Sequence, residues 1–135
     1  MGRRVKELNE IMNGMELILA ERQRQQLVEG WTPAHDDTHD HRELYFAATC
    51  YERAAGRCPK FPPSPWPWAK KWWKPSSPIR NLVKSGALYL AEADRMFRLG
   101  CKRREIWRTL RNDSKRCALE IDRLQRKPEN YKECK

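Results

Sequence analysis

The chain has 135 residues, of which 39% are hydrophobic and 34% charged, a composition typical of one globular domain and unlike that of a disordered chain. No apolar run approaches the roughly 20 residues that cross a bilayer, and the first residues lack the apolar block of a signal peptide, so we expect a cytoplasmic protein with no membrane partner. The 28 Lys and Arg residues outnumber the 18 Asp and Glu residues, and the net charge of +10 favours anionic partners such as nucleotides, nucleic acid or an acidic protein.

Neither the cysteines nor the histidines predict a metal site. The five cysteines are never closer than eight residues, so the sequence has no Cys-x-x-Cys pair of the kind that binds zinc. His39 and His41 are two residues apart, a spacing that does not place them on one helical face. We therefore expect free thiols in a reducing compartment and no resident metal.

The first segment predicts a helix. Apolar residues recur every three or four positions from Val5 to Leu19, which places them on one helical face. Asn13 is a suitable N-cap with Glu16 at the third helical position, so the pattern leaves open whether this segment is one helix or two. Gly30 predicts the end of the helix, because glycine readily adopts the left-handed conformation found there.

A second helix is expected after a polar turn at residues 31–39, where proline and the Asp and Thr side chains favour a turn. Thr38 or Asp40 is suited to begin it, with Glu43 three residues after Asp40 as a capping partner. Gly56 predicts its end. Its apolar face comprises Leu44, Ala47, Ala48 and Tyr51.

Residues 58–78 predict a long loop between the second and third helices. They contain seven of the nine prolines and four of the six tryptophans. Proline fixes φ and removes an amide donor, so a regular helix is excluded over most of this segment. Because tryptophan is on average highly buried, we expect about half of these side chains to fill the core and the loop to be more than a linker.

Two more helices are predicted in the second half. The third helix begins after Ser77, a suitable N-cap, with Pro78 at its first position, and it ends at Gly100. Gly86 in its middle allows a neighbouring helix to approach closely. The apolar stripe of this third helix is Leu82, Val83, Gly86, Leu90 and Phe97. The fourth helix covers roughly residues 102–126, stops at Pro128, and has Ile106, Leu110, Cys117, Ile121 and Leu124 inside.

The predicted fold is all-α. Short connections make neighbouring helices antiparallel, so residues 1–135 are expected to form a single domain, a small bundle of about four helices, with residues 128–135 frayed. Four helices bury little surface, and the remaining apolar and aromatic area favours a homo-oligomer.

The Trp-rich loop and the helix after it form the best candidate site for a phosphate-bearing ligand. Aromatic rings stack on bases and cations attract phosphate. Arg80 and Lys84 are four residues apart near a helix N-terminus, which itself favours anions. The turn at residues 29–37 contributes a second set of candidates, a stacking ring and two hydrogen-bond acceptors. The candidates from the loop and the turn are Trp72, Trp73, Lys74, Trp31, Asp36 and Asp37.

The last helix carries a basic stripe, defined here as Arg104, Arg108, Arg111 and Lys115. These residues recur at helical spacing on one face, although a charge run is most often only a solvated surface. Such a stripe can track a phosphate backbone without base specificity.

Two family resemblances involve the turn between the first two helices. The first resemblance is to small phage and prophage proteins of uncertain role. Three segments carry it: Glu-Gly-Trp-Thr-Pro-Ala-His-Asp-Asp at residues 29–37, Trp-Trp-Lys-Pro at 72–75, and the segment from Arg80 to Glu92. The turn is also similar to the repeat domain of ryanodine receptors, which occurs in prokaryotes and has been proposed to recognise nucleotide-derived signals. That similarity implies a ligand surrounded by Arg22 or Arg24, Trp31, Asp36, Asp37 and Tyr45.

A rival resemblance is to the MazG-like all-α nucleotide pyrophosphohydrolases. It implies Mg²⁺-dependent hydrolysis of a nucleoside triphosphate, with Glu21, Glu43 and Glu92 as the metal-binding acids.

Three functions are therefore weighed. The leading hypothesis is a phage-encoded protein that binds a nucleotide or cyclic nucleotide second messenger in the infected bacterial cell and blunts host defence by sequestering it, with no cofactor and no turnover. The second is the Mg²⁺-dependent hydrolase. The third is an interaction protein whose basic stripe binds nucleic acid or a host defence nucleoprotein.

Overall fold

The computed structural model describes residues 12–57 and 59–127, and these residues form helices without any strand. The helices are α1 (Gly14–Leu27), α2 (Pro33–Asp36), α3 (Glu43–Ala54), α4 (Pro78–Arg98) and α5 (Arg104–Gln125), and Lys70–Trp72 forms one 3₁₀ turn. The all-α prediction is confirmed. The predicted helical residues 5–11 and the predicted frayed tail at 128–135 lie outside the described residues. None of the described helices has both the length and the apolar character that crossing a membrane requires.

Side-chain caps set the starts of α1 and α4 as predicted. The Asn13 side chain accepts a hydrogen bond from the Glu16 amide at 2.8 Å, and the Glu16 carboxylate accepts one from the Asn13 amide at 3.1 Å. Ser77 caps α4 by accepting from the Arg80 amide at 3.1 Å. Each cap satisfies amide groups that the first helical turn leaves without a partner.

Glycines in the left-handed conformation follow the ends of α1 and α4. Gly30 has a φ of 73° and Gly100 a φ of 72°, values that a residue with a β-carbon rarely adopts. Both positions agree with the stops that the sequence predicts.

The start of α3 differs from the prediction. The helix begins at Glu43 and not near Thr38 or Asp40, because Arg42 has a φ of 63° and interrupts any helix that would run into it. The Glu43 carboxylate accepts a hydrogen bond from the His41 amide at 2.6 Å, so it contributes to this entry turn. The predicted turn before it also contains the short helix α2, capped by Thr32.

Helix α4 lies at the centre and packs against α1, α3 and α5. Two glycines permit close approach: a β-carbon on Gly86 would lie 2.3 Å from Ile18 Cδ1, and one on Gly14 would lie 2.2 Å from the Ala118 carbonyl oxygen. The prediction that a helix neighbour approaches Gly86 is confirmed. The predicted apolar faces supply buried core residues: Leu44, Ala47, Ala48, Tyr51, Leu82, Val83, Leu110, Cys117, Ile121 and Leu124.

Phe97 was predicted to lie inside and is instead 63% exposed. It occupies the last turn of α4, where its ring lies perpendicular to the Trp107 ring at a centroid distance of 6.0 Å. Trp107 is itself only half-buried, so this end of α4 remains accessible.

The Pro- and Trp-rich loop is anchored to α3. The buried Trp73 stacks on Tyr51 with ring centroids 4.6 Å apart, and its indole nitrogen donates to the Pro59 carbonyl at 3.0 Å. Trp66 meets both rings edge-on, at 5.6 Å from Tyr51 and 4.9 Å from Trp73. Trp73 therefore plugs the core, whereas Trp72 beside it is 55% exposed. About half of the loop tryptophans were expected to fill the core; of the four, Trp73 is buried, Trp66 and Trp68 are half-buried and Trp72 is exposed.

Candidate ligand-binding cavity

A cavity of about 690 Å³ lies between α1, α2, α3, α4 and the Trp-rich loop, within the size range of small-molecule sites. Aromatic residues form the largest group in its wall, and charged residues form the next largest. The aromatic residues that line it are Trp31, His35, His39, Tyr51, Trp66, Trp68 and Trp72. The charged residues that line it are Glu21, Arg24, Glu29, Lys74 and Lys84.

The rings of the aromatic wall support one another. Trp66 and Trp68 meet edge to face with centroids 5.4 Å apart, and the His39 ring lies 5.2 Å from Trp68. On the α2 side, Trp31 stacks on His35 at 6.0 Å with an interplanar angle of 9°. These contacts hold most of the rings in place before a ligand arrives, which lowers the entropy cost of binding.

A buried carboxylate organises the charged part of the wall. Glu21 accepts two hydrogen bonds from Arg24, at 2.9 and 2.7 Å, and one from Arg80 at 2.8 Å. Arg24 also pairs with Glu29 at 3.0 Å. Burial alone would raise the pKa of Glu21, but the hydrogen bonds and positive charge of Arg24 and Arg80 outweigh it, so the pKa lies below its ordinary value. Glu21 is therefore ionised at neutral pH, and its role is to position two arginines.

Lys84 presents a partly buried cation to the cavity. Its ammonium donates to the Lys74 carbonyl oxygen at 2.6 Å and lies 5.5 Å from the centre of the Tyr51 ring. Burial lowers the pKa of Lys84, and the nearby charges of Arg80 and Arg24 lower it further. The nearby carboxylates of Glu21 and Glu29 act in the opposite sense, so burial is the main cause of the lowered pKa, and an anion bound beside the ammonium would favour its charged form.

Four of the predicted ligand residues line the cavity: Trp31, Trp72, Lys74 and Lys84. Arg80 lies immediately behind its wall through the bond to Glu21. The spacing of Arg80 and Lys84 along one helical face thus directs both toward the same region, as the sequence predicts.

The other predicted ligand residues do not line this cavity. Arg22 and Asp36 are buried and form an ion pair at 2.7 Å that ties α1 to α2. Asp37 pairs with Arg98 at 2.7 Å. Two further residues serve packing contacts: Trp73 lies in the core, and Tyr45 packs near Tyr89 and under the Arg42 guanidinium.

The three predicted metal-binding acids do not converge. Glu21 bonds to Arg24 and Arg80, as described above. The carboxylate of Glu43 bonds to His39 and to the His41 amide. Glu92 is buried in a pair with Arg95 at 2.6 Å. Each acid has its own cationic or donor partner, so these residues do not fit a shared Mg²⁺ site. Among the described residues, only the largely exposed group of Asp40, His41 and Glu43 brings three possible metal ligands close together.

Several cavity residues were not predicted from the sequence. Tyr51 was assigned to the core, Trp66 and Trp68 belong to the loop tryptophans from which one or more stacking rings were expected, and Arg24 was only an alternative to Arg22. The three-residue spacing of Glu21 and Arg24 is a signal for an ion pair that points toward the cavity. The remaining unpredicted lining residues are Gln25, Glu29, His35, His39, Leu44, Ala69 and Leu88.

No protein-family model, curated protein or solved structure matches this chain.

Proposed function

We propose that the protein binds a nucleotide or a nucleotide-derived second messenger in this cavity. The observation that carries the proposal is the juxtaposition of an aromatic wall with the ammonium groups of Lys74 and Lys84. A nucleotide has the two matching parts, a flat base that stacks on indole rings and phosphates that attract cations.

The base has two kinds of stacking surface available. Trp72 is half-exposed, with the Lys71 and Lys74 ammonium groups 5.2 and 5.8 Å from its ring centre, so a base placed on it would lie close to positive charge. Trp31 offers a second ring on the opposite segment of the chain, fixed by its stack on His35. Bases stacked on aromatic side chains gain about 1–3 kcal/mol each.

The phosphates are expected at Lys84 and Lys74. Lys84 uses one of its donors on the Lys74 carbonyl and has others for a ligand. Arg24 and Arg80 are engaged by Glu21, so they raise the local potential without being the first contacts. Positive groups fixed before binding need little reorganisation when an anion arrives.

Binding without turnover is the favoured mode. The carboxylates that would have to share a metal ion in the hydrolase alternative are each occupied by separate partners in the described part of the chain. The resemblance to small phage proteins adds a biological setting: a phage-encoded protein that retains a signalling nucleotide would lower its free concentration in the infected cell and weaken a host defence that depends on it.

The test is a binding experiment with mono-, di-, tri- and cyclic nucleotides, by thermal shift and calorimetry, with and without Mg²⁺. A ligand at about 100 times its Kd adds about 2.7 kcal/mol to the free energy of unfolding. We expect Trp72→Ala and Lys84→Gln to weaken binding at least tenfold. Lys70→Gln is the matched control, because Lys70 is on the same loop and does not line the cavity.

Each outcome has a defined meaning. Unchanged affinity in both cavity variants would overturn the site. Release of phosphate or pyrophosphate by the wild-type protein would overturn sequestration in favour of hydrolysis.

A further inference from the structure

The cations of α5 divide into a paired and an unpaired set. Arg103 bonds to Glu105 at 3.1 Å, Arg116 to Glu52 and Asp113 at 2.7 Å, and Arg123 is paired with Glu120. Within the described part of the chain, the four residues of the basic stripe form no ion pair with a carboxylate, and all four are exposed: Arg104, Arg108, Arg111 and Lys115. The positive charge on this face of α5 is therefore not neutralised from within the described structure.

The stripe has a regular geometry. Its members are separated by three or four positions, so they follow one side of the helix, and the eleven steps from Arg104 to Lys115, at a rise of about 1.5 Å each, span roughly 16 Å. Four cations along that length give a charge about every 5 Å, a density that suits a line of phosphates. An isolated anion would meet only one or two of them.

Aromatic rings lie beside the stripe. The guanidinium of Arg111 is 5.0 Å from the centre of the Trp107 ring, and that of Arg108 is 5.7 Å from it. Phe97, which is mostly exposed, lies perpendicular to the same indole with ring centroids 6.0 Å apart. Guanidinium planes and an accessible phenyl ring are surfaces on which unpaired bases stack, whereas the bases of a duplex cannot reach them.

We infer that the basic stripe, with Phe97 and Trp107 beside it, binds single-stranded nucleic acid. The phosphate backbone lies along the four cations and one or more bases stack at the aromatic end. The contacts go to phosphates and to ring faces, so binding is largely independent of sequence. This surface is separate from the nucleotide cavity, since none of its six residues lines that cavity.

The test is fluorescence anisotropy with a labelled oligothymidylate of about 15 nucleotides, a length that covers one such surface. Four phosphate contacts predict a slope of log affinity against log salt near −3, because each contact in a single strand contributes about −0.7. Affinity is then expected to fall about 50-fold between about 50 and 200 mM salt. A slope near zero would overturn the inference.

Two double variants with the same charge change separate the stripe from general basicity. Arg108→Gln with Arg111→Gln removes two unpaired cations and is expected to reduce the slope by about 1.4. Arg103→Gln with Arg123→Gln removes two paired cations, one at the N-cap of α5 and one in its last turn, and is expected to change affinity by less than twofold. Equal losses in the two double variants would show that only net charge matters and would overturn the assignment to this face.

The aromatic part of the surface distinguishes single strands from other polyanions. Phe97→Ala removes an exposed ring with little packing and is expected to weaken oligothymidylate binding about fivefold or more while leaving duplex binding unchanged. Polyglutamate of the same charge tests for an acidic protein partner. If polyglutamate binds as tightly as the oligonucleotide, or if Phe97→Ala has no effect on either, the partner is not single-stranded nucleic acid.

Discussion

The Cδ1 atom of Ile18 lies where a side chain at Gly86 would have to begin, 2.3 Å from the position of a β-carbon on that glycine. This contact joins α1 to the middle of the central helix α4, and Ile18 is fully buried. The close approach determines how near α1 and its cavity residues lie to Lys84 on α4.

Gly86→Ala is therefore expected to destabilise the protein, although alanine is the better helix former. A β-carbon at Gly86 would also lie 2.8 Å from Ile18 Cγ1, so rotating the tip of that side chain does not relieve the clash. Forcing an additional methyl group into a packed core typically costs about 1–3 kcal/mol against a gain in helix propensity of about 1 kcal/mol, so we expect a net loss of up to about 2 kcal/mol. Chemical denaturation measures the change.

Gly56→Ala is the control, because nothing lies within 4 Å of a β-carbon there. In the Ile18→Val background, which lacks Cδ1, the cost of Gly86→Ala should be smaller; an undiminished cost would contradict this contact as the cause.

The Glu21 ion-pair cluster should make stability depend on acid pH. The pKa of Glu21 is lower in the folded protein than in the unfolded chain because of Arg24 and Arg80. The ionised carboxylate therefore adds to the free energy of unfolding above the unfolded pKa of about 4.5, and this stabilisation is lost as the pH falls through the folded pKa. Glu21→Gln should lower the free energy of unfolding by about 2 kcal/mol at pH 7. The difference between the variant and the wild type should shrink as the pH falls from the unfolded value through the folded one.

Thermal unfolding between about pH 3 and 7 measures this effect. Asp40→Asn serves as the control, because Asp40 is exposed and pairs with the exposed His41. A difference between wild type and Glu21→Gln that stays constant over the whole range would show that Glu21 stabilises the fold by packing and not by charge.

The cysteines should differ sharply in reactivity. Burial, followed by the charge of Glu52, raises the pKa of Cys117 to about 12, and its thiol contacts the Ser85 hydroxyl at 3.6 Å. Burial also raises the pKa of Cys50. Alkylation requires the thiolate and access to it, so at pH 8 iodoacetamide should modify the half-buried Cys101 much faster than either of these residues.

Peptide-level mass spectrometry after timed labelling measures the order, and labelling in denaturant should remove the differences. Equal rates for Cys117 and Cys101 in the native protein would contradict the burial of Cys117.

Local signals predicted much of the fold. The capping residues Asn13 and Ser77 and the stop at Gly100 could be read from the sequence because each acts through its own immediate neighbours. The start of α3 could not, because it depends on a left-handed Arg42 that no propensity favours. Phe97 fits the helical period of the apolar stripe of α4, but the period alone does not show where the neighbouring helix stops covering that stripe.

The candidate cavity was only partly predictable. The loop tryptophans and Lys84 could be identified by residue type and spacing, whereas the bond from Arg80 to Glu21 joins residues 59 apart in the chain and depends on how α1 packs against α4. Arg22 and Asp36 resembled ligand contacts, but the fold pairs them with each other in its interior. A buried pair and a ligand-binding pair have the same sequence signature, so only the tertiary structure separates them.

Phosphate binding at Lys84 should be linked to proton uptake at alkaline pH. Burial and the charges of Arg80 and Arg24 lower the pKa of Lys84 in the free protein, and a bound phosphate would raise it again. Nucleotide affinity should therefore fall as the pH rises, beginning below the ordinary lysine value of about 10.4, and binding in that alkaline range should take up protons. Calorimetry in buffers of different ionisation enthalpy measures that uptake.

Lys84→Arg keeps the charge but does not titrate in this range, so it should bind with little uptake. Equal proton uptake in the wild type and in Lys84→Arg would place the phosphate at another group.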